Sequence, residues 1–206
     1  METTQVNRPG LHAPGGERHA PGGERLRTLA IMLVVGVLIA AGAYFLDKSG
    51  AASYTTIELT GDTSGDRPVA GSVPPEFSAT TVNGDVFQMA DLKGRPIWLT
   101  FGASWCADCR AEAPDLEATY KQYAPAGLAL VSIWLQENDQ DVRDYAARLG
   151  LDFTMIADPN TALASRYRTY GLPTHFFIGT DGTVKEVRLG GLPREEMARL
   201  VESILK

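Results

Sequence analysis

The sequence predicts an α/β domain, residues 73–206, carried behind a single apolar helix. Three observations predict it. Residues Thr28–Leu46 form a nineteen-residue run without a charge. The stretch after it, 47–72, is small, polar and Gly-rich. From residue 73 onward, short apolar runs of strand length alternate with stretches of helical period, the pattern of a sheet covered by helices. With 206 residues there is room for one ordinary domain and these additions. A net charge of −6 excludes a general nucleic-acid binder, because nothing basic is available to neutralise a run of phosphates.

Residues 1–27 open with an internal repeat. His12-Ala-Pro-Gly-Gly-Glu-Arg18 is followed at once by His19-Ala-Pro-Gly-Gly-Glu-Arg25. Pro and Gly oppose both helix and strand and leave little to bury, so a disordered tail is expected. His12 and His19 could hold a metal weakly, but a duplicated linker explains them as well. At 1.5 Å per residue, a helix over Thr28–Leu46 roughly spans the ~30 Å hydrocarbon core. Arg18, Arg25 and Arg27 precede the run and only Lys48 lies close behind it. That asymmetry puts the tail on the cytoplasmic side and the domain outside. Ala41-Gly42-Ala43 resembles a cleavage site, yet the run is longer than a usual signal core and continues through Tyr44, Phe45 and Leu46. An uncleaved anchor is expected, without the cysteine a lipoprotein would need. Residues 47–72 read as a tether, with a short strand at Tyr54–Leu59.

Within the domain, Val82–Phe87 reads as a hairpin whose Asn83-Gly84 supplies both positive-φ positions of a two-residue turn. Ile97–Phe101 is short, apolar and suited to a buried strand. It ends at Gly102, and helical character runs from about Cys106 to Tyr123, with Pro114 as a kink. A second buried strand at Leu128–Leu135 precedes a helix at Asp139–Leu149. A third strand at Phe153–Ala157 precedes a helix around Asn160–Tyr167. Thr174–Ile178, the Asp181-Gly182 turn and Thr183–Leu189 form an antiparallel hairpin. Pro193–Leu205 closes the chain as an amphipathic helix with Met197, Leu200, Val201 and Ile204 on one face.

The chemistry concentrates where the first buried strand gives way to the first helix. Cys106 and Cys109 are the only cysteines, three apart. In the first turn of a helix they are close enough to form a disulfide. At the helix N-terminus, unpaired N–H groups and the macrodipole favour a thiolate at Cys106, while Cys109 lies one turn further in. An exposed nucleophile and a protected resolving thiol are what exchange chemistry needs. Two structural cysteines are one alternative. Metal ligation is another, but it needs two more ligands, and the domain offers only His175.

Phe101-Gly-Ala-Ser-Trp-Cys-Ala-Asp-Cys-Arg110, followed by Glu112 and Pro114, resembles the active-site segment of thioredoxin-like proteins. Gly171-Leu172-Pro173-Thr174 is similar to their second signature, a loop whose proline is cis. The likeness extends over 73–206 and includes the lead-in at 84–96 and the hairpin at 176–182. With the apolar run in front, the chain most resembles the membrane-tethered thiol–disulfide oxidoreductases of the TlpA/ResA/CcmG type. The resemblance implies a thioredoxin-like fold, a mixed central sheet flanked by helices with an N-terminal hairpin and a central insertion. It implies no cofactor beyond the redox-active disulfide Cys106–Cys109.

It also assigns roles. Cys106 attacks and forms a mixed disulfide, and Cys109 resolves it. Trp105 flanks and shields the dithiol. Pro173 faces the thiols without an N–H and keeps adventitious metals away. The backbone at Leu172 pairs with an extended substrate segment, beside Thr174. Glu112, three residues after Cys109 on the same helical face, takes or returns the Cys109 proton, unless it is simply a solvated surface carboxylate. Two departures matter. Thioredoxins carry an acid at the position of Thr100, and this family commonly has proline at the position of Asp108. A carboxylate between the cysteines opposes a thiolate at Cys106, partly offset by Arg110, which favours a reductant.

The expected function is therefore extracytoplasmic disulfide exchange with protein substrates, as a reductant re-supplied by a transmembrane electron donor. The resemblance points to apocytochrome c thiols or copper-site cysteines as clients. An oxidant or isomerase is the nearest alternative. A copper metallochaperone using Cys106, Cys109 and His175 is another. A peroxidase is disfavoured because no Pro-x-x-x-Thr-x-x-Cys segment occurs.

Overall fold

A strand that is apolar at every position needs cover on both faces, and the longest apolar runs of the domain receive it. The computed structural model describes residues 22–49, 57–59 and 66–206. Two compact units divide the chain at Ala51/Ala52. The first holds helix α1 (Gly22–Ser49). The second holds strands β1 (Ile57–Leu59), β2 (Phe77–Thr80), β3 (Val86–Gln88) and β4 (Ile97–Gly102), then helix α2 (Ala107–Tyr123) and β5 (Ala129–Leu135). Helix α3 (Asp139–Leu149), β6 (Thr154–Asp158), helix α4 (Ala162–Arg166), β7 (Thr174–Ile178), β8 (Val184–Leu189) and helix α5 (Arg194–Ile204) complete it.

Within α1, Leu26–Tyr44 is long and apolar enough to cross a membrane. Beyond Arg27 and Thr28 its side chains are apolar on every face, with Leu33, Val34, Val37 and Leu38 among the exposed ones. A helix without a polar stripe has no face to turn toward water. Residues 22–27 of the expected disordered tail are helical instead, as the start of α1. The rest of that tail, half of the expected tether and Tyr54–Thr56 of the expected strand lie outside the described residues.

The main sheet has the order β6-β5-β4-β7-β8. β4, β5 and β6 are parallel, while β7 and β8 run antiparallel to their neighbours. A smaller antiparallel sheet, β1-β2-β3, packs through Phe77 and Phe87 into the same core. Side-chain alternation divides that core in two. Leu99 and Phe101 of β4 join Val131, Ile133, Ile156, Leu163, Tyr167 and Phe176 on one face. Trp98 of β4 joins Leu116, Trp134, Met155, Phe177, Met197 and Leu200 on the other, beneath α2 and α5. Thr100 and His175 face one another across the β4–β7 ladder and share parity with Trp98 and Phe177. Both therefore point toward α2.

Three local expectations need correction. The hairpin at 82–87 closes through a wider turn, with strands ending at Thr80 and resuming at Val86. Only Gly84 takes positive φ there. The Thr81 hydroxyl accepts from the N–H groups of Asn83 and Asp85, an arrangement that replaces the two-residue turn. Helix α4 is shorter than expected because Thr161 sits in the left-handed region at φ 56° and bars an earlier start. Cys106 is the N-cap of α2, not its first helical residue.

Asp158, at the end of β6, is fully buried. One carboxylate oxygen accepts the Ala164 N–H at 2.9 Å, and the other has no hydrogen-bond partner. Burial raises its pKa above the ordinary value, and the N–H groups opening α4 only partly offset that. A raised acid pKa means the fold binds the proton more tightly than the unfolded chain does. Its contribution is fully present below the unfolded pKa and is lost as pH rises through the folded one. Asp158→Asn keeps an acceptor for Ala164 and removes the charge. Its melting temperature should exceed the wild type's by about 2–4 °C at pH 7, and the gap should close below about pH 4. Thermal unfolding of the detergent-solubilised chain at both pH values checks this.

Candidate active site

The dithiol stands at the C-terminal end of β4, the central strand of the main sheet. The Cys106 backbone is extended, at φ −78° and ψ 124°, and its sulfur accepts the Cys109 N–H at 3.2 Å. A sulfur in an N-cap position takes the place of the usual hydroxyl or carboxylate acceptor. Cys106 and Cys109 are disulfide-bonded, with their Cα atoms 5.3 Å apart. The sequence predicts an exposed Cys106, but in this disulfide state both cysteines are buried, at 9% and 5% exposure. Ala103 and the half-buried Leu172 pack against the pair. Trp105 is exposed beside it, and its indole N–H donates to the Leu135 carbonyl at 3.3 Å.

The loop before β7 supplies the second wall. The Leu172–Pro173 peptide is cis. The Pro173 carbonyl accepts the Gly190 N–H at 2.8 Å, tying the loop to the end of β8. At Gly171 the backbone runs so close to Leu189 that a Cβ would lie 2.9 Å from its Cδ1. Thr174 is fully buried, and its hydroxyl donates to the Gly171 carbonyl at 2.6 Å. Its side chain braces the loop from within.

Glu112 is buried at 6% exposure, so it is no solvated surface carboxylate. One of its oxygens, Oε2, accepts the Leu192 N–H at 3.0 Å and lies 3.5 Å from His175 Nε2. Glu112 also lines two spaces. One is a cavity of about 20 Å³, shared with Cys109, Thr100, Ser132 and Trp134, which is the size of a single water. The other is a solvent-facing cleft formed with Asp108, Ala111, Asp115, Gly191 and Leu192. Helix α2 continues through Pro114, so Glu112 keeps its helical spacing from Cys109.

A family model described as AhpC/TSA matches residues 70–187. The chain belongs to the AhpC/TSA family. It is similar to the thiol–disulfide oxidoreductase ResA of Geobacillus kaustophilus, 31% identical over 134 residues, covering 65% of this chain and 77% of that protein. A solved thiol:disulfide interchange protein of the thioredoxin family from Chlorobium tepidum superposes with a TM-score of 0.61 at 30% identity. That match covers 69% of this chain and all of the other. StoA from Bacillus subtilis gives a TM-score of 0.55 at 26% identity, covering 62% of this chain and 97% of its own. This AhpC/TSA family member has the thioredoxin-like fold and is a thiol–disulfide oxidoreductase. With an oxidised Cys106–Cys109 pair in place, it can accept two electrons from a dithiol or, once reduced, deliver them to a disulfide.

Sequence reasoning missed one residue of the site in this family member. Glu137, just beyond β5, is buried at 6% exposure. Its carboxylate accepts the Ser104 N–H at 2.8 Å through Oε2, and the Ser104 hydroxyl donates to Oε1. Arg110 donates to the Ser104 carbonyl at 3.0 Å. All the backbone and side-chain polar groups of Ser104 are thus engaged, which fixes the segment that presents Trp105 and Cys106. Gln136, in the left-handed region at φ 58°, turns the chain sharply between β5 and Glu137. The available signal was position, since residues just past the C-terminal ends of adjacent parallel strands gather at one site. His175 is fully buried toward Glu112. Among the described residues no three His, Cys, Asp or Glu side chains are grouped to hold a metal ion, Cys106, Cys109 and His175 included.

Proposed function

We propose that the chain is anchored by α1 and reduces protein disulfides outside the cytoplasm, with Cys106 as attacking thiolate and Cys109 as resolving thiol. The observation that carries the reductant direction is Asp108, an exposed carboxylate in the first turn of α2 between the two cysteines. Its negative charge raises the free energy of a Cys106 thiolate, so the reduced form is stabilised less than in a strong oxidant, whose high reduction potential rests on a favoured thiolate. Asp115 and Glu112 add to the negative side of the same cleft. Arg110 is committed to the Ser104 carbonyl.

A client segment in extended form lies along the loop at Leu172, where Pro173 offers no N–H to compete for the sulfur. Trp105 flanks the reacting sulfurs. Glu112 takes the Cys109 proton as the mixed disulfide resolves. The clients are cysteine pairs that have to be reduced before a group is attached, such as apocytochrome c thiols or copper-site cysteines. A transmembrane electron donor re-reduces the disulfide, since α1 carries no redox group. Arg25 and Arg27 before the apolar run, against Lys48 after it, support a domain outside. The oxidant alternative is distinguished by potential. Equilibrated against dithiothreitol or glutathione buffers in detergent, the full chain should show a potential near or below about −230 mV. A value near about −120 mV would make it a disulfide donor and overturn the argument from Asp108.

A further inference from the structure

His175 is buried on the α2 face of the sheet, and its two ring nitrogens meet different partners. The Trp98 indole lies 3.3 Å from Nδ1, and an indole N–H can only donate. Nδ1 is therefore the unprotonated nitrogen. The Thr100 hydroxyl, 3.0 Å from the same atom, donates as well. A neutral imidazole with Nδ1 accepting carries its proton on Nε2. That Nε2–H has no hydrogen-bond partner, and the carboxylate oxygen facing it is Glu112 Oε2 at 3.5 Å.

We propose that His175 is a positioning residue for Glu112: Trp98 and Thr100 lock it as the neutral Nε2–H tautomer, and that fixed donor favours the ionised Glu112 carboxylate that receives the Cys109 proton. The proposal rests on the assignment of Glu112 as that proton acceptor. His175 does not take the proton onward. A second proton would have to sit on Nδ1, where the Trp98 N–H already points. The proton that Glu112 receives leaves instead through the cleft that the same carboxyl lines on its other side.

In the step concerned, the Cys109 sulfur attacks the Cys106 sulfur of the mixed disulfide. The Cys106–Cys109 bond forms, and the bond from Cys106 to the client sulfur breaks. The client sulfur leaves with the electron pair as a thiolate, and the Cys109 proton passes to Glu112. The two cysteines are oxidised as the client disulfide is reduced. The groups that face Glu112 are His175 from β7, Cys109, Asp108 and Asp115 from its own helix, Tyr145 from α3, and the uncharged Leu192 N–H. Asp108 and Asp115 line the cleft side of Glu112, and His175 presents its donor from across the sheet.

The test uses the reduced full chain in detergent and the aromatic disulfide 5,5′-dithiobis(2-nitrobenzoate) in single turnover. The first release of thionitrobenzoate reports attack by Cys106, and the second reports resolution by Cys109. His175→Leu and His175→Asn lose the Nε2 donor, and His175→Gln keeps an N–H near that position. The first two should move the midpoint of the second phase to higher pH and slow that phase about tenfold near neutral pH. The first phase should stay in place, and His175→Gln should lie close to wild type. On a Glu112→Gln background, His175→Asn should change nothing further. If Glu112→Gln leaves the second phase untouched, the acceptor role of Glu112 fails, and His175 falls with it. If Glu112→Gln slows the second phase but neither His175→Leu nor His175→Asn moves its midpoint, the role of His175 alone is overturned. Equal displacement of both phases, or His175→Gln as displaced as His175→Asn, shows a structural role only and also overturns it.

Discussion

Replacing Cys109 with Ala is expected to leave a protein that attacks disulfides once and then stops. Cys106 can still form the mixed disulfide, but no second sulfur lies within the turn to release it. Turnover should fall on the order of 10³-fold or more, as when part of a covalent mechanism is removed. The trapped adduct should appear as one added client mass on the intact chain, and dithiothreitol should remove it. Cys106→Ala should lose turnover to the same extent and trap nothing. The contrast between the two variants follows from their places on α2. Cys106 caps the helix, where N–H groups meet its sulfur, whereas Cys109 sits a turn deeper, beside the cavity it shares with Glu112.

The second large effect is expected at Glu112. Glu112→Gln keeps a carbonyl for the Leu192 N–H, so the fold should hold, but it removes the group that accepts a proton. General base catalysis contributes about 10²–10⁴-fold. Resolution by Cys109 should slow within that range near neutral pH, while the rate of Cys106 attack stays within about twofold. Above the titration of the free thiol, Cys109 ionises without help and the deficit should shrink. Stopped-flow measurement of both steps between pH 6 and pH 10 separates these outcomes. An equal loss in both steps would show that Glu112 acts on the site as a whole, not on the Cys109 proton.

Much of this molecule is written in local pattern. The runs at Ile97–Phe101 and Leu128–Leu135, apolar apart from Thr100 and Ser132, are buried strands because they leave no face for water, and they are the sheet's two innermost parallel strands. The Asp181-Gly182 turn is legible because Gly182 takes φ 76°, and α5 because its four core residues fall on one face. What is not legible depends on pairing between distant segments. Nothing local to His175 tells which face of β7 it occupies. The register that sets it opposite Thr100 decides that. Glu137 reaches Ser104 from 33 positions away, and its own neighbours read as an ordinary loop before a helix. The pairing of β1 with β2 is similarly non-local, since Ile57 meets Ala79 across a Gly-rich stretch. Glu112 was half legible. Its spacing from Cys109 follows from the helix, but its burial depends on Leu192 and the turn after β8 closing over it.

The division of the sheet into two unlike faces has a consequence for how such an enzyme can change over generations. The face holding Leu99, Phe101, Ile133, Ile156 and Phe176 is oil throughout, so losses of volume there can be made good by neighbours of the same kind. The opposite face carries a polar group in which Trp98 and Thr100 both meet His175, and His175 faces Glu112. Substitutions on the first face should combine nearly additively with changes at the dithiol, whereas those within the polar group should not. Thermal robustness can therefore drift on one side of five strands while electron-transfer chemistry is held constant on the other.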